Sequence, residues 1–184
     1  MAGHHLILGE LEDYVTGKVL ADTHDERYRQ KIARFLVEEK GYAKADIAPR
    51  KSLVVTAGDR KGKLTVDFTI AVDGRTTMVI KYAPGSLVTR HRPTLAISRL
   101  VAPHQVPVVV VTNGESADIL DGVSGALTAT GFDGIPSRKI LAQQLDGIEF
   151  EPVSDHRREM EARIVYAFEI EGSCPCDDST CRIA

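Results

Sequence analysis

Asp67 and Lys81 are the pair in this 184-residue chain whose types and spacing could do chemistry on a phosphate. Asp67 falls in residues 64–72, where Leu64, Val66, Phe68, Ile70 and Val72 alternate with Thr65, Asp67, Thr69 and Ala71, the period of a strand. Asp73-Gly74 follows, a dipeptide that favours a two-residue hairpin turn. Residues 76–82 then run back as the partner strand, with Val79 and Lys81 on one side and Met78, Ile80 and Tyr82 on the other. The pattern predicts that Asp67 and Lys81 approach across adjacent strands, with Val79 on their side. A third candidate is Glu26, in Thr23-His24-Asp25-Glu26. It closes a capping box on Thr23, or it is a helix carboxylate facing the strand pair. Asp67 and Lys81 likewise read as a chemistry-bearing pair, or Asp67 is a surface residue of a polar strand face paired with Lys63 or Lys81.

Charge distribution points to a polyanion. The chain carries −3 overall, but residues 50–99 hold ten Lys or Arg against three acids, a local charge of +7 that leaves −10 elsewhere. Such an excess attracts phosphate within a Debye length, or it is a solvated basic face. Lys61, Lys63, Arg90, Arg92 and Arg99 are the candidate nucleic-acid contacts. The last three flank Pro93, read as the first turn of a helix whose free N–H groups suit phosphate oxygens. Trp is absent and Phe and Tyr total ten, which argues against an aromatic stacking platform for single strands.

The cysteines are confined to the end, Cys174, Cys176 and Cys181, spaced C-x-C-x4-C. Three thiolates this close can wrap Zn²⁺ or part of an iron–sulfur cluster, with His4, His5, His24, His156, Asp177, Asp178 or a second subunit completing the set. The alternative is a solvent-exposed tail of oxidisable thiols. An odd count with no secretory leader argues against a disulfide framework. No apolar run reaches the roughly 20 residues of a membrane span, so the expected location is the cytoplasm.

The elements that must position these residues follow from periodicity. Residues 1–22 read as a helix or extended arm. A helix over 24–40 carries the stripe Tyr28, Ile32, Phe35 and Leu36 and stops at Gly41. Strands are predicted at 53–55, 64–72 and 76–82, then the Pro93 helix with Leu95, Ile97, Leu100 and Val101. Residues 106–111 are apolar on both faces, as in a central strand covered from both sides. Asn113-Gly114 is read as leading into a short helix through Ile119 and Leu120, and 122–136 as a loop or hairpin. Ser137 caps a helix near 137–145. Ser154 caps a longer one with the stripe Met160, Ile164, Ala167 and Phe168, ending at Gly172. The class is α/β: a mixed β-sheet flanked by helices in a three-layer core. The division is an N-terminal arm (1–22), the domain (23–171) and the cysteine tail (172–184).

Asp25-Glu26-Arg27-Tyr28-Arg29-Gln30, the segment 36–42 (LVEEKGY), Val66-Asp67-Phe68-Thr69-Ile70 and Val79-Ile80-Lys81 together resemble the N-terminal domain of type I restriction enzyme R subunits, within the PD-(D/E)xK nuclease superfamily. The resemblance covers about residues 24–112. It implies a restriction-endonuclease-like fold, Mg²⁺ or Mn²⁺ at Asp67 with Glu26 assisting, and Lys81 orienting the attacking water. It also calls for a Glu two residues before the lysine, where this chain has Val79. Some nucleases of that superfamily hold an iron–sulfur cluster with a C-terminal cysteine trio, a parallel to the tail. The resemblance thus implies a nuclease-like DNA-binding domain with weakened or lost phosphodiester hydrolysis. The reading from a different class is a non-catalytic regulatory or adaptor module that uses the basic face or the tail to bind a partner, a second copy included.

Overall fold

The computed structural model describes residues 7–171 and 180–183. Its centre is a seven-stranded mixed sheet between two helical layers. The strands are β3 (Ile47–Ala57), β4 (Arg60–Val72), β5 (Arg75–Tyr82), β6 (Val108–Thr112), β7 (Ala117–Asp121) and β8 (Leu127–Thr130), paired in that order. The seventh, β9 (Thr180–Ile183), lies antiparallel to the first half of β4. β5 and β6 form the parallel pair, joined by the helix α2 (Val88–Ser98), as a parallel connection requires. Helices α1 (His24–Glu38) and α3 (Arg138–Leu145) pack one face with Ile32, Leu36, Leu141, Phe68, Ile70, Met78 and Ile80. On the other face α2 and α4 (Asp155–Val165) pack with Leu64, Val66, Val79, Ile97, Val165 and Tyr166. β6 shows why it reads as apolar throughout: Val110 faces the first layer, Val109 and Val111 the second.

Local chemistry explains the boundaries. Asp73 and Gly74 both have positive φ (51° and 77°), as a type I′ hairpin turn demands. Thr23 caps α1 by accepting from the Glu26 N–H at 3.1 Å. Ser137 and Ser154 cap α3 and α4 in the same way. Among the described residues, no helix is long and apolar enough to cross a membrane.

Five expectations are corrected. Within residues 1–22, β1 (Glu10–Glu12) and β2 (Val19–Ala21) form an antiparallel hairpin in place of a helix or arm, its turn tied by Asp13 accepting from Thr16 N and Oγ1. α2 begins at Val88, so Pro93 lies inside the helix and not in its first turn; Arg90 stands in that first turn, while Arg92 and Arg99 lie beyond it. Asn113-Gly114 leads into strand β7, not a helix. Asn113 Oδ1 accepts from the N–H groups of Glu115 and Ser116, an Asx turn that reverses the chain onto β6. α4 buries Glu161, Ala162 and Val165 and leaves Met160 exposed, with Phe168 exposed in the π-helical turn Tyr166–Glu171 beyond it. Its inward face is set by a charged residue, which a stripe of apolar positions does not reveal. Finally, the apolar row of β4 is buried throughout but divides at Asp67, with Leu64 and Val66 under α2 and α4 and Phe68, Ile70 and Val72 under α1. The break falls where the ladders are interrupted: Arg50 of β3, opposite Asp67, is unpaired and left-handed, and the β4–β5 pairing ends at Phe68.

Candidate functional site

Asp67 stands where the β4–β5 ladder gives out. The last paired positions are Phe68 and Ile80, and the next step would bring Asp67 opposite Lys81. The carboxylate takes over there: Oδ2 accepts from the Tyr82 N–H at 2.9 Å and lies 3.2 Å from Lys81 Nζ. Lys81 Nζ also donates to the Thr65 carbonyl at 3.2 Å. The other oxygen, Oδ1, accepts from Arg29 Nε at 2.6 Å. Asp67 is buried, not on an exposed strand face. Burial alone would raise its pKa, but Lys81, Arg29 and the Tyr82 N–H more than reverse this and hold it below the ordinary carboxylate value.

α1 brings Asp25, Glu26, Tyr28, Arg29 and Gln30 to this region. Glu26 does not close the capping box onto Thr23. Its Oε1 accepts from Gln30 Nε2 at 2.7 Å and from Arg50 Nη1 at 3.1 Å, and its Oε2 lies 3.7 Å from Arg29 Nη1. Gln30 Nε2 also donates to Asp13 Oδ2 at 2.9 Å, while Gln30 Oε1 accepts from Tyr14 N, which fastens the hairpin to α1. Arg50 Nη2 bonds Asp13 Oδ2 as well. Arg50 falls between the β3 positions paired with Phe68 and Val66 and has φ of 53°, a left-handed conformation costly for a side chain of this size. Two carboxylates holding one guanidinium offset that cost. Asp25, on the same turn of α1 as Glu26, accepts from Tyr82 Oη at 3.1 Å, and the Tyr82 ring stacks on Tyr28.

The result is an alternating ladder of six charges, Asp13, Arg50, Glu26, Arg29, Asp67 and Lys81, drawn from the hairpin, β3, α1, β4 and β5. Three acids are matched by three cations. Val79 is fully buried among Val66, Ala96 and Ile97, opposite Thr69, and offers no oxygen. The donor set therefore does not fit a divalent ion: both Asp67 oxygens are engaged by cations, Glu26 and Asp13 are held by Arg50, and the position where a second carboxylate would stand is apolar. Among the described residues no cluster of three His, Cys, Asp or Glu is placed to share an ion.

The predicted residues are thus partly brought together. Asp67 and Lys81 meet, and Glu26 joins them through Arg29. The five basic candidates are dispersed. Lys61 and Lys63 are exposed on β4. Arg90 lies 3.6 Å from Glu169. Arg92 and Arg99 turn onto Glu161, at 2.6 Å and 2.7 Å, where Arg157 joins them at 2.6 Å. Glu161 is fully buried, and Arg92 approaches its Oε2 without hydrogen-bond alignment. Cys181 is exposed on β9 opposite Lys63, while Cys174 and Cys176 lie outside the described residues, as do His4, His5, Asp177 and Asp178. Sequence reasoning missed Asp13, Arg29 and Arg50. Only Arg29 carried a signal, one helical turn from Glu26 and off the apolar stripe.

Comparison with known proteins adds one finding. A family model, described as the type I restriction enzyme R protein N terminus (HSDR_N), matches residues 24–136. The match spans α1 to β8 and includes Glu26, Arg29, Arg50, Asp67 and Lys81, while Asp13 and Glu161 fall outside it. No curated protein and no solved structure matches the chain. With more than half of its length covered by that model, the chain belongs to the family of type I restriction enzyme R protein N-termini.

Proposed function

We propose that this chain is a nuclease-like DNA-binding domain in which phosphodiester hydrolysis has been lost. Family membership supports the nuclease lineage. The single observation that carries the loss is the environment of Asp67, pinned between Arg29 and Lys81 with apolar Val79 two residues before the lysine. Metal-dependent hydrolysis needs carboxylates free to hold an ion that polarises the phosphoryl oxygen and activates water. Here Arg29 Nε occupies one Asp67 oxygen and Lys81 the other. The PD-(D/E)xK comparison supplies the expectation of a Glu at the Val79 position, and with it the reading of the site as degenerate. The charge of +7 within residues 50–99 supports DNA as the ligand.

The test pairs two assays on the full chain. Fluorescence anisotropy with duplex DNA in EDTA should show binding at low salt that weakens as salt rises. Plasmid nicking with Mg²⁺ or Mn²⁺ should show none. Absence of binding at low salt would end the DNA reading in favour of the adaptor. Metal-dependent nicking that disappears in Asp67→Asn would show that hydrolysis was retained.

A further inference from the structure

β3, β4 and β9 form a three-stranded patch whose two faces differ sharply. Towards α4 and the π-helical turn it presents Leu53, Val55, Ala57 and Leu64, all buried, and Gly62 lies against Ile170. The opposite face is open among the described residues. Directly paired residues of antiparallel strands share a face, and the register places Val54, Lys63 and Cys181 in one row and Thr56, Lys61 and Ile183 in the next. All six are exposed, and Ser52 and Thr65 extend the face by one more pair.

None of these eight residues is acidic. Lys61 and Lys63 have no ion pair among the described residues, whereas Arg90, Arg92, Arg99 and Arg157 are each spent on a carboxylate. The nearest acid in sequence, Asp59, sits in the β3–β4 turn. Alternation along β4 carries the same face from Lys61 and Lys63 through Thr65 to Asp67, so the lysines stand about 7 Å apart and the second is about 13 Å from Asp67 at strand rise. Lys61 and Lys63 thus place two positive charges, without a carboxylate partner among the described residues, on one sheet surface that runs to Asp67, whereas Arg75, the segment's unpaired arginine, is turned onto the carbonyls of Leu145 and Ile148.

We infer that this β3–β4–β9 face is the DNA-docking surface, with duplex phosphates engaged by Lys61 and Lys63. The inference rests on the DNA reading proposed above and places its contacts on the sheet, away from the arginines of α2. Lysine ammonium groups are point-charge phosphate binders. The Val54 and Ile183 side chains, beside Lys63 and Lys61 on the neighbouring strands, present no competing anion.

The experiment measures duplex DNA affinity of the full chain by anisotropy across a salt series, comparing wild type with Lys61→Glu/Lys63→Glu and with Lys18→Glu/Lys139→Glu, which makes the same charge change on exposed positions elsewhere. Thermal midpoints confirm that both variants fold. The β4 variant should lose at least tenfold in affinity, and its log K against log salt slope should fall by roughly 2, about 0.9 per phosphate contact. The control variant should lose less than threefold. Val54→Glu, an acid placed beside Lys63 on β3, should weaken binding as well. If wild type binds and the two double variants lose affinity equally, the docking face is wrong while the DNA reading stands. If wild type does not bind at low salt, the DNA reading itself falls.

Discussion

Asp67 and Glu161 are both buried carboxylates ringed by cations, yet only the first lies inside the segment that the family model matches. Asp67 lies inside the segment matched by the restriction-enzyme family, at the end of a strand ladder, and its cations Arg29 and Lys81 keep side-chain exposures of 20% and 10%. Glu161 lies beyond that segment, fully buried between α2 and α4, and receives Arg92, Arg99 and Arg157. Both pKa values are pulled down by these partners against the effect of burial. The contrast teaches that a perturbed, cation-bound buried acid does not by itself mark chemistry. At Glu161 the arrangement clamps two helices. At Asp67 the same type of arrangement occupies the oxygens that a metal site would need.

The largest effect expected is that of acid, because it loads both regions at once. Folded-state pKa values below the ordinary 3.8 and 4.5 mean that the unfolded chain binds more protons in this range, so stability rises with pH. The contribution is complete above those ordinary values and is lost as pH falls through them towards the folded values. Urea titrations from pH 6 down to pH 3 should show this decline, and a flat profile would mean that neither carboxylate is held as described. Next comes Glu161→Gln, which leaves Arg99 buried without a counter-charge. It should cost about 3–5 kcal/mol in urea unfolding, and a loss below about 1 kcal/mol would show that the clamp is ornamental. Asp67→Asn should cost less, about 1.5–3 kcal/mol, since Arg29 and Lys81 can reach water. If it costs more than Glu161→Gln, the Asp67 charge ladder rather than the helix clamp is the stronger lock. The smallest effect concerns Arg50. Arg50→Gly should be about 1 kcal/mol less destabilised than Arg50→Ala, because glycine accepts the left-handed backbone freely. Equal losses would mean that the φ of 53° stores no strain.

How much was legible in the sequence varied with the range of the interaction. The Asp67–Lys81 encounter could be read because two period-two strands meet at Asp73-Gly74, and a hairpin register is local. α1 was equally readable from its cap and stripe. Arg50 was not, since nothing in Pro49-Arg50-Lys51 signals a positive φ. Asp13 was missed with the hairpin that carries it, for its strands are three residues each. Glu161 looked like one more solvated acid in a charged helix, because Arg99 and Arg92 lie 62 and 69 residues earlier. Ile119-Leu120 is too short an apolar run for periodicity to separate strand from helix. β9 pairs with residues more than 110 positions away, and no local pattern announces such a partner.

The central proposal is that Asp67, engaged by Arg29 and Lys81, holds no divalent ion. Calorimetric titration of Mn²⁺ into the wild-type chain tests it most directly, with Asp67→Asn run beside it. No saturable heat dependent on Asp67 is predicted, and the two proteins should give the same trace. A saturable Mn²⁺ site in the wild type that vanishes in Asp67→Asn would contradict the account.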